Sequence, residues 1–235
     1  MAAGAFPTTR WTLVVRAQGV ARAQGEERTA ALDTLLAAYW QPLYVYARRK
    51  GLSPEDAQEI VQELFADLLE RHFPEQLDPA RGRLRGWLKA CLDHHLVNRH
   101  AARTAKKRGG GARHVPLDTA LVEHELAGSD LGPEEAYARE WAARVMSRAL
   151  ARLWEEQETR TGSIDVLRRF FGTGPPPSYR EAAAEAGMSL PQLKAFLHRA
   201  RVRYRELVLD EVRDTVAHPE DVEREMGELC AWVGL

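Results

Sequence analysis

The chain has 235 residues, 33 Lys and Arg against 34 Asp and Glu, and a formal net charge of −1; at ~100–200 residues per domain that is one large or two small domains. Ala, Leu, Arg and Glu dominate and β-branched residues are sparse, which predicts an all-α fold. Two cysteines, Cys91 and Cys230, exclude a disulfide framework, and no apolar signal core or ~18-residue apolar run argues for secretion or a membrane span, so the expectation is a cytoplasmic protein with no membrane partner.

Residues 1–27 read as an N-terminal extension, with a short helix expected near Phe6–Val15. A first domain is expected over 28–108. Leu32, Leu35, Leu36, Tyr39 and Leu43 recur at helical spacing, Pro42 predicts a kink or interruption, and Gly51 closes the helix. Ser53-Pro54-Glu55-Asp56 is a helix start: a cap, a proline in the first turn, then acids that oppose the dipole. Ala57, Ile60, Val61, Leu64 and Leu68 form the inward stripe of the helix that follows. Asp56, Glu59, Glu63, Asp67 and Glu70 line another face, which taken alone is a solvated surface. From Leu84 a third helix points Leu84, Trp87, Leu88, Cys91, Leu92 and Leu96 inward, leaving Lys89, His94, His95, Asn98, Arg99 and Arg103 for the surface.

Neutral net charge conceals strong local asymmetry. Arg99, Arg103, Lys106, Lys107, Arg108 and Arg113 follow one another with no acid between them. After Leu209 the balance reverses, with Asp210, Glu211, Asp214, Glu220, Asp221, Glu223, Glu225 and Glu228 against Arg213 and Arg224. Gly109-Gly110-Gly111 is entropically expensive to order and marks a domain edge, so 109–132 is expected to be a flexible linker with one helical turn near Thr119–Leu126. Cys91 and His95 are four apart, a pairing more often packing than metal ligation. No metal, cofactor or catalytic residue is expected, since no phosphate-binding loop and no nucleophile–base arrangement stands out.

The second domain is expected over 133–209. Ala142, Val145, Met146, Ala149 and Leu153 form one stripe, Ser163 caps a short helix with Ile164, Leu167, Phe170 and Phe171, and Gly172–Pro177 is a stiff turn. Tyr179–Arg205 then reads as a helix-turn-helix. Ala183 is small enough to let two helices cross closely, Gly187 tolerates positive φ, Ser189 caps, and Pro191 falls in the first turn of the second helix. Leu193 and Phe196 face inward. Gln192, Lys194, Ala195, His198, Arg199 and Arg201, followed by Arg203 and Arg205, suit a helix lying in a DNA groove. Residues 210–235 form an acidic tail in which Pro219 opens a helix with an apolar stripe of Val222, Met226, Leu229, Cys230 and Val233. Two readings of that tail stay open: packing that finishes the second domain, or an acidic face that covers a basic DNA-binding surface.

Together these segments resemble a bacterial RNA polymerase sigma factor of the extracytoplasmic-function (ECF) group, over nearly the whole chain. YVYARRKGLSPEDAQEIVQELFADLLER is similar to the family's core-binding helix with its D-A-x-D-[LI]-V-Q-E signature, Glu59 standing where that signature has Asp. RGRLRGWLKACLDHHLVNRHAARTAKKRGGG is similar to the promoter-melting and −10-reading segment, with Asp93-His94-His95 as a departure, and LHRARVRYREL looks like the end of the −35-reading helix.

The resemblance implies a sigma region-2-like first domain and a region-4-like second one. Asp56, Glu59, Gln62 and Glu63 would face the clamp helices of the largest polymerase subunit, and the second domain would sit on the flap of the other large subunit. Arg83, His94, Asn98, Arg99, Arg103, Lys106, Lys107 and Arg108 would serve the −10 element, the loop Arg81–Gly86 with His94 and Asn98 forming a pocket for flipped bases. Gln192 to Arg201 would read the −35 groove. The expected partners are the polymerase core and promoter DNA, with an anti-sigma factor as a further candidate. The alternatives are a helix-turn-helix regulator that is not a sigma factor, which would leave the VQE helix unexplained, and a helical adaptor that sequesters a sigma partner.

Overall fold

The computed structural model describes residues 25–70, 83–105, 122–123, 126, 130–158, 163–172, 174–216 and 218–233. These are mostly helical: α1 (Gly25–Arg49), α2 (Pro54–Glu70), α3 (Leu84–Ala105), α4 (Pro133–Glu158), α5 (Ser163–Phe171), α6 (Tyr179–Glu185), α7 (Leu190–Arg213), a single 3₁₀ turn (Pro219–Asp221) and α8 (Val222–Val233). Among the described residues the one β-type pairing is an isolated antiparallel bridge between Arg83 and Val216. The all-α expectation holds. The short N-terminal helix, the loop through Arg81 and the basic run Lys106–Arg108 with its glycines lie outside the described residues.

The chain divides into two compact units, Met1–Arg144 with Val212–Leu235, and Val145–Glu211. The sequence reading opens the second domain at Pro133 and leaves the tail 210–235 by itself; here the first turns of α4 and the tail from Val212 on group with the first unit, Asp210 and Glu211 with the second. For α4 the cause is aromatic. Tyr137 and Trp141 are buried, the Tyr137 hydroxyl donates to the Arg85 carbonyl at 2.8 Å, and the Arg85 guanidinium lies 4.4 Å from the centre of the Trp141 ring.

In the first unit α1, α2 and α3 pack on one another. Their buried side chains include Tyr39, Leu43 and Tyr46 from α1, Ala57, Ile60, Val61, Leu64 and Leu68 from α2, and Leu84, Leu88 and Leu92 from α3. The α2 stripe is the one its spacing predicts. Ser53 caps α2, its hydroxyl accepting from the Asp56 N–H at 3.1 Å. Pro42 does not interrupt α1, which runs through it; Tyr39, Leu43 and Tyr44 are buried on either side, so packing outweighs one missing hydrogen bond. Within 109–132 the segment carrying Val122 and Glu123 is docked on α1. Val122 is buried, and the Arg48 guanidinium grips Glu123 with bonds of 2.7 and 2.8 Å.

The second unit is built on Val166, Leu167, Ala182, Ala183, Leu193, Leu197 and Ala200, with Trp154, Phe170, Phe171, Met188 and Phe196 packed against them. Ala182 and Ala183 carry so little side chain that α6 can lie close to α7. The turn between them has a local cause for each bond. Gly187 sits at φ 63°, where a Cβ would be strained, and the Met188 N–H reaches back to the Ala183 carbonyl at 2.9 Å. Ser189 and Gln192 then form a reciprocal box. The Ser189 N–H donates to the Gln192 side chain at 2.8 Å and the Gln192 N–H to the Ser189 hydroxyl at 3.4 Å.

Candidate nucleic-acid interface

Helix α7 carries a broad cationic surface. Gln192, Lys194, Ala195, His198, Arg199 and Arg201 are all exposed, because Leu193, Leu197 and Ala200 take the buried side of the helix. Among the described residues Lys194, His198, Arg199 and Arg205 have neither a hydrogen-bond nor an ion-pair partner. Gln192 spends its side-chain oxygen on the Ser189 cap and keeps its two amide donors outward. Arg201 donates to the Tyr179 hydroxyl at 3.4 Å, and Tyr179 rests on Phe170 with ring centres 5.2 Å apart. Arg203 is different. Glu156 holds it with bonds of 2.8 and 2.6 Å and Glu206 with one of 2.9 Å, and those bonds, the Glu156 one foremost, raise its pKa further. It is therefore not part of the open face.

Helix α3 sorts its polar residues in a way its spacing does not reveal. His94 and Asn98 are exposed, with Val97 between them at 68% exposure. Arg99 turns instead toward α2. One of its terminal nitrogens lies 2.8 Å from Asp56 and also bonds Glu59; the other is 3.7 Å from Glu63. A residue expected on phosphates thus meets three of the carboxylates expected on the polymerase, within one unit. Burial works to lower the Arg99 pKa, but the three carboxylates outweigh it and hold the guanidinium charged. Glu63 is pushed up by burial, with Glu59 and Asp67 adding and Arg99 opposing. Gln62 is half-buried on the same helix. Arg103 is placed as helical backbone, while its side chain and Lys106, Lys107 and Arg108 lie outside the description.

His95, four residues before Arg99, stands 3.3 Å from Asp67, yet its pKa is lowered from 6.5, burial outweighing the carboxylate and His94 adding to the decrease. A histidine with a lowered folded pKa gives its full stabilisation above the unfolded value and loses it as pH falls through 6.5 and below. The first unit should therefore melt earlier as pH drops from about 7.5 to about 5.5, and His95→Gln should flatten that step. Thermal melts of both proteins at the two pH values check it; an equal slope would clear His95 of the effect.

Arg83, the remaining described cation expected near a −10 element, is closed off by the tail. Its guanidinium is 3.0 Å from Glu225 and also bonds Glu228. Arg85 takes the same two acids: two bonds to Glu225, one of them 3.0 Å, and a bond to Glu228. Glu225 is 0% exposed. Burial works to lower the Arg85 pKa, and the two carboxylates reverse this and raise it. Burial raises that of Glu228, and Arg85 and Arg83 overcome it, leaving its carboxyl below the usual range. The backbone joins in, with the Leu84 N–H donating to the Thr215 carbonyl at 3.0 Å.

Sequence reasoning placed Arg85 only within a candidate base pocket, Arg81–Gly86, and Glu225 and Glu228 only within an acidic tail; it did not pair them with each other. Their signal was the excess of acid after Leu209, but nothing in its spacing says which cations it meets. Comparison with protein-family models, with curated proteins and with solved structures gave no match for the chain. Among the described residues no group of His, Cys, Asp and Glu is arranged to hold a metal ion, and no helix is long and apolar enough to cross a membrane.

Proposed function

We propose that the chain is an ECF-type sigma factor that binds RNA polymerase core and directs it to promoters, the second unit being a helix-turn-helix that reads the −35 element. The observation that carries this reading is the exposed, largely unpaired basic face of α7, set behind a short helix and the positive-φ turn at Gly187. That turn fixes how a second helix is presented, and the face offers Lys194, His198 and Arg199 at groove-reading spacing. On the first unit Asp56, Glu59, Gln62 and Glu63 face the polymerase clamp, and His94 and Asn98 meet bases of the −10 element. The chain itself catalyses nothing, works in the cytoplasm, and leaves polymerisation to the core.

Transcript starts mapped after overexpression identify the promoters, and transcription reconstituted from those promoters with core polymerase tests the role. Start-site selection that depends on the added chain is the expected result; a dimer that binds DNA and ignores core would establish the regulator alternative. Arg199→Ala should weaken promoter binding by about 1–3 kcal/mol and relax preference at one −35 base pair, as loss of a two-pronged guanine contact does. Binding to single-base −35 variants decides it, since uniform weakening on all of them makes Arg199 a phosphate contact.

A further inference from the structure

We propose that Arg83 and Arg85 form a binding site for backbone phosphates of nucleic acid, and that Glu225 and Glu228 of α8 occupy it in the free chain. The proposal rests on the sigma-factor reading for its biological setting, though its chemistry is that of any nucleic-acid strand. Two guanidinium groups side by side, each binding two carboxylates, present several N–H donors to two anions. Phosphodiester oxygens satisfy the same donors with the same charge. Replacing carboxylate by phosphate leaves neither arginine unpaired, so the large cost of an uncompensated buried charge does not arise on that side.

What holds α8 in place supports a removable occupant. Its apolar stripe is Val222, Met226, Leu229, Cys230 and Val233, of which only Leu229 is fully buried and the other four are half-buried. The residue that goes deepest beside Leu229 is an acid, Glu225. The helix is thus seated by charge pairing as well as by apolar contact, and charge pairing is what a polyanion competes for. The chain just before it is anchored separately, by the Thr215 and Val216 contacts to Leu84 and Arg83. His218 and Pro219 follow that anchor, so α8 can leave while the anchor stays.

Glu228 is the half-exposed member of the pair, at 38%, and Glu228→Gln leaves the buried Glu225–Arg85 bonds in place. The experiment measures binding of the full-length chain to a fluorescein-labelled oligothymidylate at low salt, without polymerase, together with hydrogen exchange along α8. Glu228→Gln should tighten binding by about three- to fivefold, the scale of one partly exposed ion pair. Adding Arg83→Gln to that variant should remove the gain, and saturating oligonucleotide should lower protection across α8. No gain from Glu228→Gln, with α8 equally protected in the presence of bound oligonucleotide, would overturn the proposal. Core-dependent transcription separates the two ideas: its absence defeats the sigma-factor reading and leaves the oligonucleotide result standing, whereas its presence beside an unresponsive α8 defeats only the phosphate site.

Discussion

Leu197→Ala should destabilise the second unit by about 2–5 kcal/mol, the usual cost of cutting a buried leucine back to its Cβ. Leu197 is fully buried in a core whose other members from α6 and α7 are Ala182, Ala183, Leu193 and Ala200. Three of those four are alanines, so any closing of the gap falls to the larger neighbours, Leu167, Leu193 and Phe196 among them. A small unit has little stability in reserve, so a loss of this size opens much of it. Hydrogen exchange resolved by peptide reads the effect locally: amides of α5, α6 and the start of α7 should lose protection. On the proposed function, promoter binding should fall with them even though Lys194, His198 and Arg199 are unchanged. Undiminished protection over α6 would show that the core closes around the missing methyls.

The second large effect is expected at Glu225. Glu225→Ala removes the carboxylate that pairs with a buried arginine and should cost the first unit about 3 kcal/mol, the low end for a broken buried pair, because Arg85 loses two hydrogen bonds but keeps its bond to Glu228. Urea unfolding followed by tryptophan fluorescence suits the measurement, since Trp141 lies under Arg85. Replacing both members, as Arg85→Met with Glu225→Met, should cost distinctly less than Glu225→Ala alone, for no unpaired charge remains. If the single substitution cost under about 1 kcal/mol, water would be reaching Arg85 and the pair would not be a buried one. This agrees with an α8 that a polyanion can displace: Glu225→Ala leaves Arg85 short of an anion, whereas a strand supplies another.

Much of the fold was legible in the residues because its causes are local. Ser53, Pro54 and the acids after them start α2, and Ala57, Ile60, Val61, Leu64 and Leu68 bury where a 3.6-residue period puts them. Gly187, Ser189 and Leu193 likewise take the conformation, the cap and the buried position their chemistry favours. The candidate −35 face was legible for the same reason, since once Leu193 and Leu197 are inside, Lys194, His198 and Arg199 must be outside. Pro42 was the local exception, because a helical break there would have exposed Tyr39 and Leu43.

What the residues determined by themselves is therefore the set of helices, their caps, and the inward side of each. What only the tertiary structure decided is the pairing of charges and the home of the tail. Arg99 was a surface cation by its spacing, and the close approach of α3 to α2 made it the partner of Asp56, Glu59 and Glu63. The acids of α8 could have met any basic stretch of the chain; packing set them on Arg83 and Arg85, 140 or more positions away. Periodicity and capping act within a few residues, so they leave a record in the sequence. An ion pair between distant segments leaves none, because one arginine resembles another until the fold selects which of them loses its water.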